Sequence, residues 1–418
     1  MLHISKKKIC IVTGTRAEYG LFYPLLKRLE NNATFDLQIV ATGMHLSPEF
    51  GMTYQEIEED GFDIKEKVEM LLSSDTGVGI SKSIGIGMLS FADVFERLKP
   101  DLLIVLGDRF EIFAAVLSAF IAKIPIAHLH GGELTEGVID DALRHSITKM
   151  SCFHFTSTEK YRKRVIQLGE SPDRVFNVGA IGLDNINETE LLQKEELENR
   201  IYFKFNGKTA LVTFHPVTLE NNSSEKQFKE LLYALEEIKE LKIIFTKPNA
   251  DTDGRVIIEL INEYGKSNPG KAISFSSMGR LNYLSAMKYV ELVIGNSSSG
   301  IIEFPSFGKP TVNIGERQRG RIKAESVIDC GPVKDDIKAA IKKALSDDFR
   351  GSCEEMKNPY GNGGASEKIV NILKDKLSGP INLKKAFFDI KKFSLDEMKA
   401  DKIENRGDVN AAERYIHC

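Results

Sequence analysis

The chain lacks most of the features that would commit it to a special class. Its five cysteines (Cys10, Cys152, Cys330, Cys353 and Cys418) are scattered and odd in number, with no Cys-x-x-Cys pair. That excludes a zinc cluster or a disulfide framework and reads as reduced thiols in a cytoplasmic protein. The start, Met1-Leu-His-Ile-Ser-Lys-Lys-Lys8, has no long apolar stretch of the signal-peptide kind. No apolar run reads as long enough to cross a bilayer. Lysine plus arginine number 56 against 60 acidic residues, a net charge of -4, so neither a nucleic acid nor a membrane is expected as a partner.

What is present is an ordinary globular composition, 42% apolar and 28% charged, over 418 residues. That length exceeds one comfortable core and predicts two domains. Short β-branched runs alternate with longer amphipathic segments, the pattern of βαβ units. Strands are expected at Lys8–Thr13, Asp36–Thr42, Asp101–Leu106, Ile124–Leu129, Thr209–Phe214, Leu241–Thr246, Ala272–Phe275, Leu292–Ile294 and Thr311–Ile314. Helical periodicity marks Leu21–Glu30, Phe110–Ile121, Asp140–Met150 and Phe228–Glu240. The expected division is a Rossmann-like domain over 1–185, a second over 186–378 and an extension over 379–418. A helix near Ser366–Lys376 fits either domain. The polar segment 391–418 reads as a peripheral helix or tail.

Three strand-to-loop junctions carry reactive groups: Gly107-Asp108-Arg109, His128-Leu-His130-Gly-Gly-Glu133 and Phe214-His215-Pro216. Ligands bind outside the carboxyl ends of the strands in an α/β sheet, so one shared site is expected. His128 and His130, two apart on a strand, would point to one side unless the strand ends between them. Asp140 reads as a helix N-cap, with Arg144 and His145 one turn on. A metal hydrolase would use His-x-His with Asp as ligands, whereas an acid–base enzyme would use the carboxylates for proton transfer. His154, inside Cys-Phe-His-Phe, reads as structural.

Two further loops suit phosphate. Gly14-Thr15-Arg16-Ala-Glu18-Tyr-Gly20 follows the first strand and opens a helix, but is neither a dinucleotide fingerprint nor a Walker loop. Gly295-Asn-Ser297-Ser298-Ser-Gly300 does the same in the second half, with Glu303 one turn in to accept ribose hydroxyls. Arg317, Arg319 and Arg321 add positive charge, at least one of them on a solvated loop.

Together these motifs, with Ile139-Asp140-Asp141 and Arg144-His145, resemble the hydrolysing UDP-N-acetylglucosamine 2-epimerases. The resemblance runs from residue 8 to about 390. Members of that family make N-acetylmannosamine for sialic acid synthesis, and close relatives act on bacterial diacetamido sugars. The resemblance implies a glycosyltransferase-B-like α/β architecture, two Rossmann-like domains facing across a cleft that holds the nucleotide sugar. It implies anti elimination of UDP to a glucal, then hydration with inversion at C2, with no cofactor and no metal. It assigns UDP to Arg16, Ser297, Ser298, Glu303 and Arg321. Asp108, Glu133 and Asp140 become the proton-transfer carboxylates, His215 assists the departing diphosphate, and Arg144 and His145 hold the sugar or neighbouring carboxylates. Some relatives have a catalytic Glu where this chain has His130, which leaves the C2 base open. A homodimer or homotetramer is implied.

The resemblance puts UDP-N-acetylglucosamine first as substrate and UDP-2,4-diacetamido-2,4,6-trideoxyglucose second. No pocket residue separates the two by spacing. The Gly-rich segment Leu72–Met88 reads either as a wall of the sugar pocket or as a surface loop. A glycosyltransferase, a metal-dependent hydrolase and a nucleotide-sugar sensor are the competing readings.

Overall fold

The computed structural model describes residues 6–219, 223–249 and 253–390, so the segment 391–418 lies outside the described residues. Two all-parallel sheets carry the chain. The first has strands β1 (Lys7–Thr13), β2 (Phe35–Thr42), β3 (Ile64–Val68), β4 (Leu102–Leu106), β5 (Ile126–Leu129), β6 (Phe153–Thr156) and β7 (Val175–Asn177), in the order β3-β2-β1-β4-β5-β6-β7. The second has β8 (Thr209–Thr213), β9 (Lys242–Thr246), β10 (Ala272–Phe275), β11 (Leu292–Gly295), β12 (Thr311–Ile314) and β13 (Val327–Cys330), in the order β10-β9-β8-β11-β12-β13. Both therefore open with the same doubly wound order. In each, the chain reverses direction across the sheet beside its first strand, between β1 and β4 and between β8 and β11. Such a reversal parts the connecting loops and leaves a crevice at the strand ends.

β4 is Leu-Leu-Ile-Val-Leu, buried at every position because helices cover both faces of the sheet. Two apolar clusters sandwich the first sheet and two more the second. The four strands not foreseen, β3, β6, β7 and β13, are short or near the sheet margins. β3 is Ile-Lys-Glu-Lys-Val, alternating in the manner of a half-exposed edge.

Six helices matter below: α1 (Arg16–Glu30), α2 (Gly77–Leu98), α3 (Phe110–Ile121), α4 (Ile139–Met150), α5 (Ser299–Ile302) and α6 (Ala365–Lys376). Helix α6 packs on α1 in the first domain's core, through Ala365, Ile369, Val370 and Leu373. The carboxylate of Asp184 anchors its start, accepting from the N–H groups of Ala365 and Ser366. The chain thus returns from the second domain to the first.

Two expectations need correction. Helix α2, with 22 residues, contains an 18-residue stretch of mean hydropathy 1.3, long and apolar enough to cross a membrane. A third of that stretch is buried, and the helix packs along α3. It also makes most of Leu72–Met88 helical rather than a loop, and no residue of that segment lines the main cleft.

Candidate active site

The cleft between the domains is lined by the loops at both reversal points. After β1, Thr15 caps α1 through its hydroxyl, which accepts from the Glu18 N–H, so the Gly14–Arg16 loop is fixed at the helix start. Arg16 reaches across the cleft, donating from Nη2 to the Lys247 carbonyl at 3.1 Å. Burial lowers its pKa.

From the second domain, Gly295 ends β11 with φ 133°, and a Cβ there would stand 1.9 Å from the Thr213 carbonyl oxygen. Only glycine permits that approach. It brings Asn296 beside His215, whose backbone it holds at both ends. The Asn296 carbonyl in turn accepts from Arg317 Nη1 and Gln318 Nε2. Ser297, Ser298 and Ser299 line the cleft, and Tyr283 donates its hydroxyl proton to Ser299 Oγ at 3.1 Å. The helix that follows, α5, is only four residues long. Glu303 lies against Gly182 of the opposite domain. Burial raises its pKa to about 8.

The chemical side of the cleft is organised by two ion pairs. Arg144 is buried on α4 and donates to Asp108, at the end of β4, and to Thr135 Oγ1 at 2.8 Å. Glu133 is also buried. It accepts from Ser157 Oγ at 2.6 Å, faces His130 Nδ1 at 2.9 Å and pairs with Arg321 Nη1 at 3.2 Å. Burial opposes its charge, yet Arg321, His130 and Arg144 outweigh that and hold it well below the usual carboxylate range. Arg321 therefore joins the domains through Glu133 and the Leu134 carbonyl, with its guanidinium on the cleft wall.

The two histidines do not share a side. β5 stops at Leu129, and His130 adopts φ 62°, a left-handed turn that side chains other than glycine seldom take. His128 points away from the cleft, to Thr148 Oγ1 and the Gly107 carbonyl, and burial pushes it down to about 3. The His-x-His chelate therefore does not form. Ile181 N–H donates to His130 Nε2 at 3.4 Å, which leaves the ring proton on Nδ1, aimed at Glu133.

Asp140 lines the cleft as the second residue of α4, whose N-cap is Val138, so its expected capping role is not what is found. Asp141, present in the motif but given no role there, accepts from the Thr135 N–H at 2.6 Å and lies 3.5 Å from His145. His145 is not on the cleft wall. Asp108, His130, Glu133, Asp140, Arg144, His215, Arg16, Ser297, Ser298, Glu303 and Arg321 all are. Of the residues missed, Asn296 stood inside a motif already singled out, whereas Ser157 and Thr135 gave no local signal.

Comparison with known proteins bears on this arrangement. The sequence profile of the UDP-N-acetylglucosamine 2-epimerase family matches residues 27–374. A Campylobacter jejuni protein named GDP/UDP-N,N'-diacetylbacillosamine 2-epimerase (hydrolyzing) is 43% identical, over 93% of this chain and 100% of its own. A Legionella pneumophila protein named UDP-N,N'-diacetylbacillosamine 2-epimerase (hydrolyzing) is 38% identical, over 88% and 96%. In fold, the chain matches the crystal structure of a Neisseria meningitidis UDP-GlcNAc 2-epimerase bound to UDP-GlcNAc, with a TM-score of 0.74 at 21% identity, over 88% of this chain and 100% of that one.

Proposed function

The chain belongs to the UDP-N-acetylglucosamine 2-epimerase family, and on that premise we propose that it is a hydrolysing 2-epimerase of UDP-2,4-diacetamido-2,4,6-trideoxyglucose, that is, UDP-N,N'-diacetylbacillosamine. The observation that carries the choice of sugar is the 43% identity, over nearly the whole chain, to a relative named for it. UDP-N-acetylglucosamine, first by motif resemblance, becomes the comparison substrate.

The reaction divides between the two walls. A carboxylate takes the C2 proton, the C2–H electrons form the C1–C2 double bond, and the C1–O bond breaks towards the diphosphate. Water oxygen then adds at C1 and a proton at C2 from the opposite face. Glu133 is a poor base here, because its oxygens are taken by Ser157, His130 and Arg321. Asp108 and Asp140, both on the cleft wall, carry the proton transfers, with Arg144 orienting Asp108. Arg16, Ser297, Ser298 and His215 face the departing diphosphate, where positive charge and donors stabilise developing charge. Arg321 acts through Glu133 rather than on UDP. Keeping Glu133 and His130 locked together sets the shape of the wall on which the sugar rests.

An NMR time course in deuterated water tests this, with each UDP-sugar offered separately. The expected products from the diacetamido sugar are UDP and the C2-epimerised free sugar, with deuterium at C2. Turnover of UDP-N-acetylglucosamine alone would refute the choice of sugar. Release of UDP without inversion would refute the epimerase.

Assembly as a homodimer is proposed on a separate observation. Val78 and Leu89 on α2 and Phe120 and Ile121 on α3 are exposed, and Ser118 Oγ bonds the Met88 carbonyl across the seam between the helices. An apolar face of this kind suits a second copy. Leu89→Asp is expected to give monomers by sedimentation; an unchanged mass would place the interface elsewhere.

A further inference from the structure

Glu18 is a cleft carboxyl to which no motif reading gives a task. It lies in the first turn of α1, is 6% exposed and lines the cleft, as do Arg16 and Asp108. Its Oε2 accepts the Gly14 N–H at 2.7 Å. Its Oε1 is buried without a hydrogen-bond partner in the protein. The charged groups facing it come from the loop after β4 and from α3: Asp108, Arg109 and Glu111. Arg109 is committed to Glu111, with Nε and Nη2 on the two carboxylate oxygens at 3.2 and 3.1 Å. Glu18 thus lies near a guanidinium already paired with Glu111 and near a second carboxyl, Asp108, that Arg144 holds.

A buried oxygen without a partner is costly in either charge state, and a second anion beside Glu111 would be costlier. With Oε2 occupied as an acceptor, a proton on this carboxyl belongs on Oε1. An O–H there needs an acceptor, and the cleft that Glu18 lines is where an oxygen-rich ligand enters. Burial and the neighbouring Glu111 push the group up to about 8, in keeping with that arrangement.

We propose that Glu18 works as a neutral carboxylic acid, its Oε1–H donating a hydrogen bond to an oxygen of the bound nucleotide sugar. This rests on the nucleotide-sugar reading above. A neutral donor suits that position because it recognises the ligand without adding an anion beside a departing diphosphate.

The amide of Glu18→Gln keeps an acceptor for Gly14 and a donor for the cleft, whereas Glu18→Ala keeps neither. Wild-type kcat/KM is expected to fall as pH rises through about 8, where the donor is lost. E18Q should lose no more than about 5-fold and show a shallower alkaline limb, and E18A should lose about 30-fold, mostly in KM, with its melting temperature as the fold control. Titration calorimetry at pH 9 with each UDP-sugar, in two buffers of different ionisation heat, gives a readout independent of turnover. Wild type should take up more protons on binding than E18Q, in which Glu303, raised to about 8 on the same cleft wall, still titrates. E18Q as damaged as E18A, or an alkaline limb and proton uptake as large in E18Q as in wild type, would overturn the role of Glu18. Proton uptake without turnover of either sugar would refute the epimerase reading and leave Glu18 standing. No binding of either sugar would overturn both.

Discussion

The side chain of Asn296 grips the backbone of His215 from both sides, accepting its N–H at 2.7 Å and donating to its carbonyl at 2.8 Å. Both residues are buried. The grip joins the ends of β8 and β11, the two strands that flank the second sheet's crevice, and so sets where His215 enters the cleft. Asn296→Ala would leave a buried N–H and a buried carbonyl without partners, at about 1–3 kcal/mol each. Unfolding in urea should register a loss of about 2–4 kcal/mol, and kcat should fall at least tenfold in the variant that remains folded.

Arg144 uses one nitrogen for both Asp108 and Thr135. Lysine keeps the charge but not the planar fork. Arg144→Lys should retain the fold and lower kcat by about 100-fold, with little change in KM, because Asp108 would lose its aim rather than its charge. Arg144→Met leaves Asp108 facing the cleft unpaired, and denaturation should show a loss of about 3 kcal/mol.

Gly182 tests the contact between the domains. A Cβ there would stand 2.5 Å from Glu303 Oε1 and 2.7 Å from Leu21 Cδ2. Gly182→Ala should displace Glu303 and raise KM for the UDP-sugar about 5- to 10-fold. It should cost about 1–2 kcal/mol in stability, read from urea unfolding. An unchanged KM would mean that Glu303 does not touch the nucleotide.

Glu170 predicts a pH dependence away from the cleft. Burial would raise its pKa, but hydrogen bonds from His154, Lys149 and Lys385 overcome this and hold it at about 2. A carboxyl depressed in the folded state contributes stability above its unfolded value of about 4.3 and loses it as pH falls towards the folded one. Stability should therefore decline between about pH 5 and 2, with about 2 kcal/mol of it absent from the profile of Glu170→Gln. Lys385 also binds the carbonyls of Lys149 and Ser151, at the far end of α4 from Asp140 and Arg144. Lys385→Met should lower the melting temperature by several degrees.

Much of this was legible locally. Buried parallel strands read as continuous β-branched runs because both faces must be apolar, and β4 and β8 stood out for that reason. Loops at strand ends showed their chemistry because Asp108, Glu133, His215 and Ser297 have little reason to follow a core strand otherwise. Edge strands such as β3 and β7 were not legible, since half-exposed segments lack that run. At His130 the sequence left two outcomes open: alternation holds only while a strand continues, and here the strand ends at Leu129 and turns left-handed.

By itself the sequence determined the two-domain α/β class, the loops that form the site and the chemical types of its residues, because each depends on periodicity or on neighbours along the chain. Tertiary structure decided which groups are free to act. Whether Glu133 is a base or half of an ion pair depends on Arg321, 188 positions away and on the other domain. Whether Glu18 is charged depends on Glu111 and on exclusion of water. Protonation and pairing are set by distance and desolvation in space, and neither quantity is written along a chain.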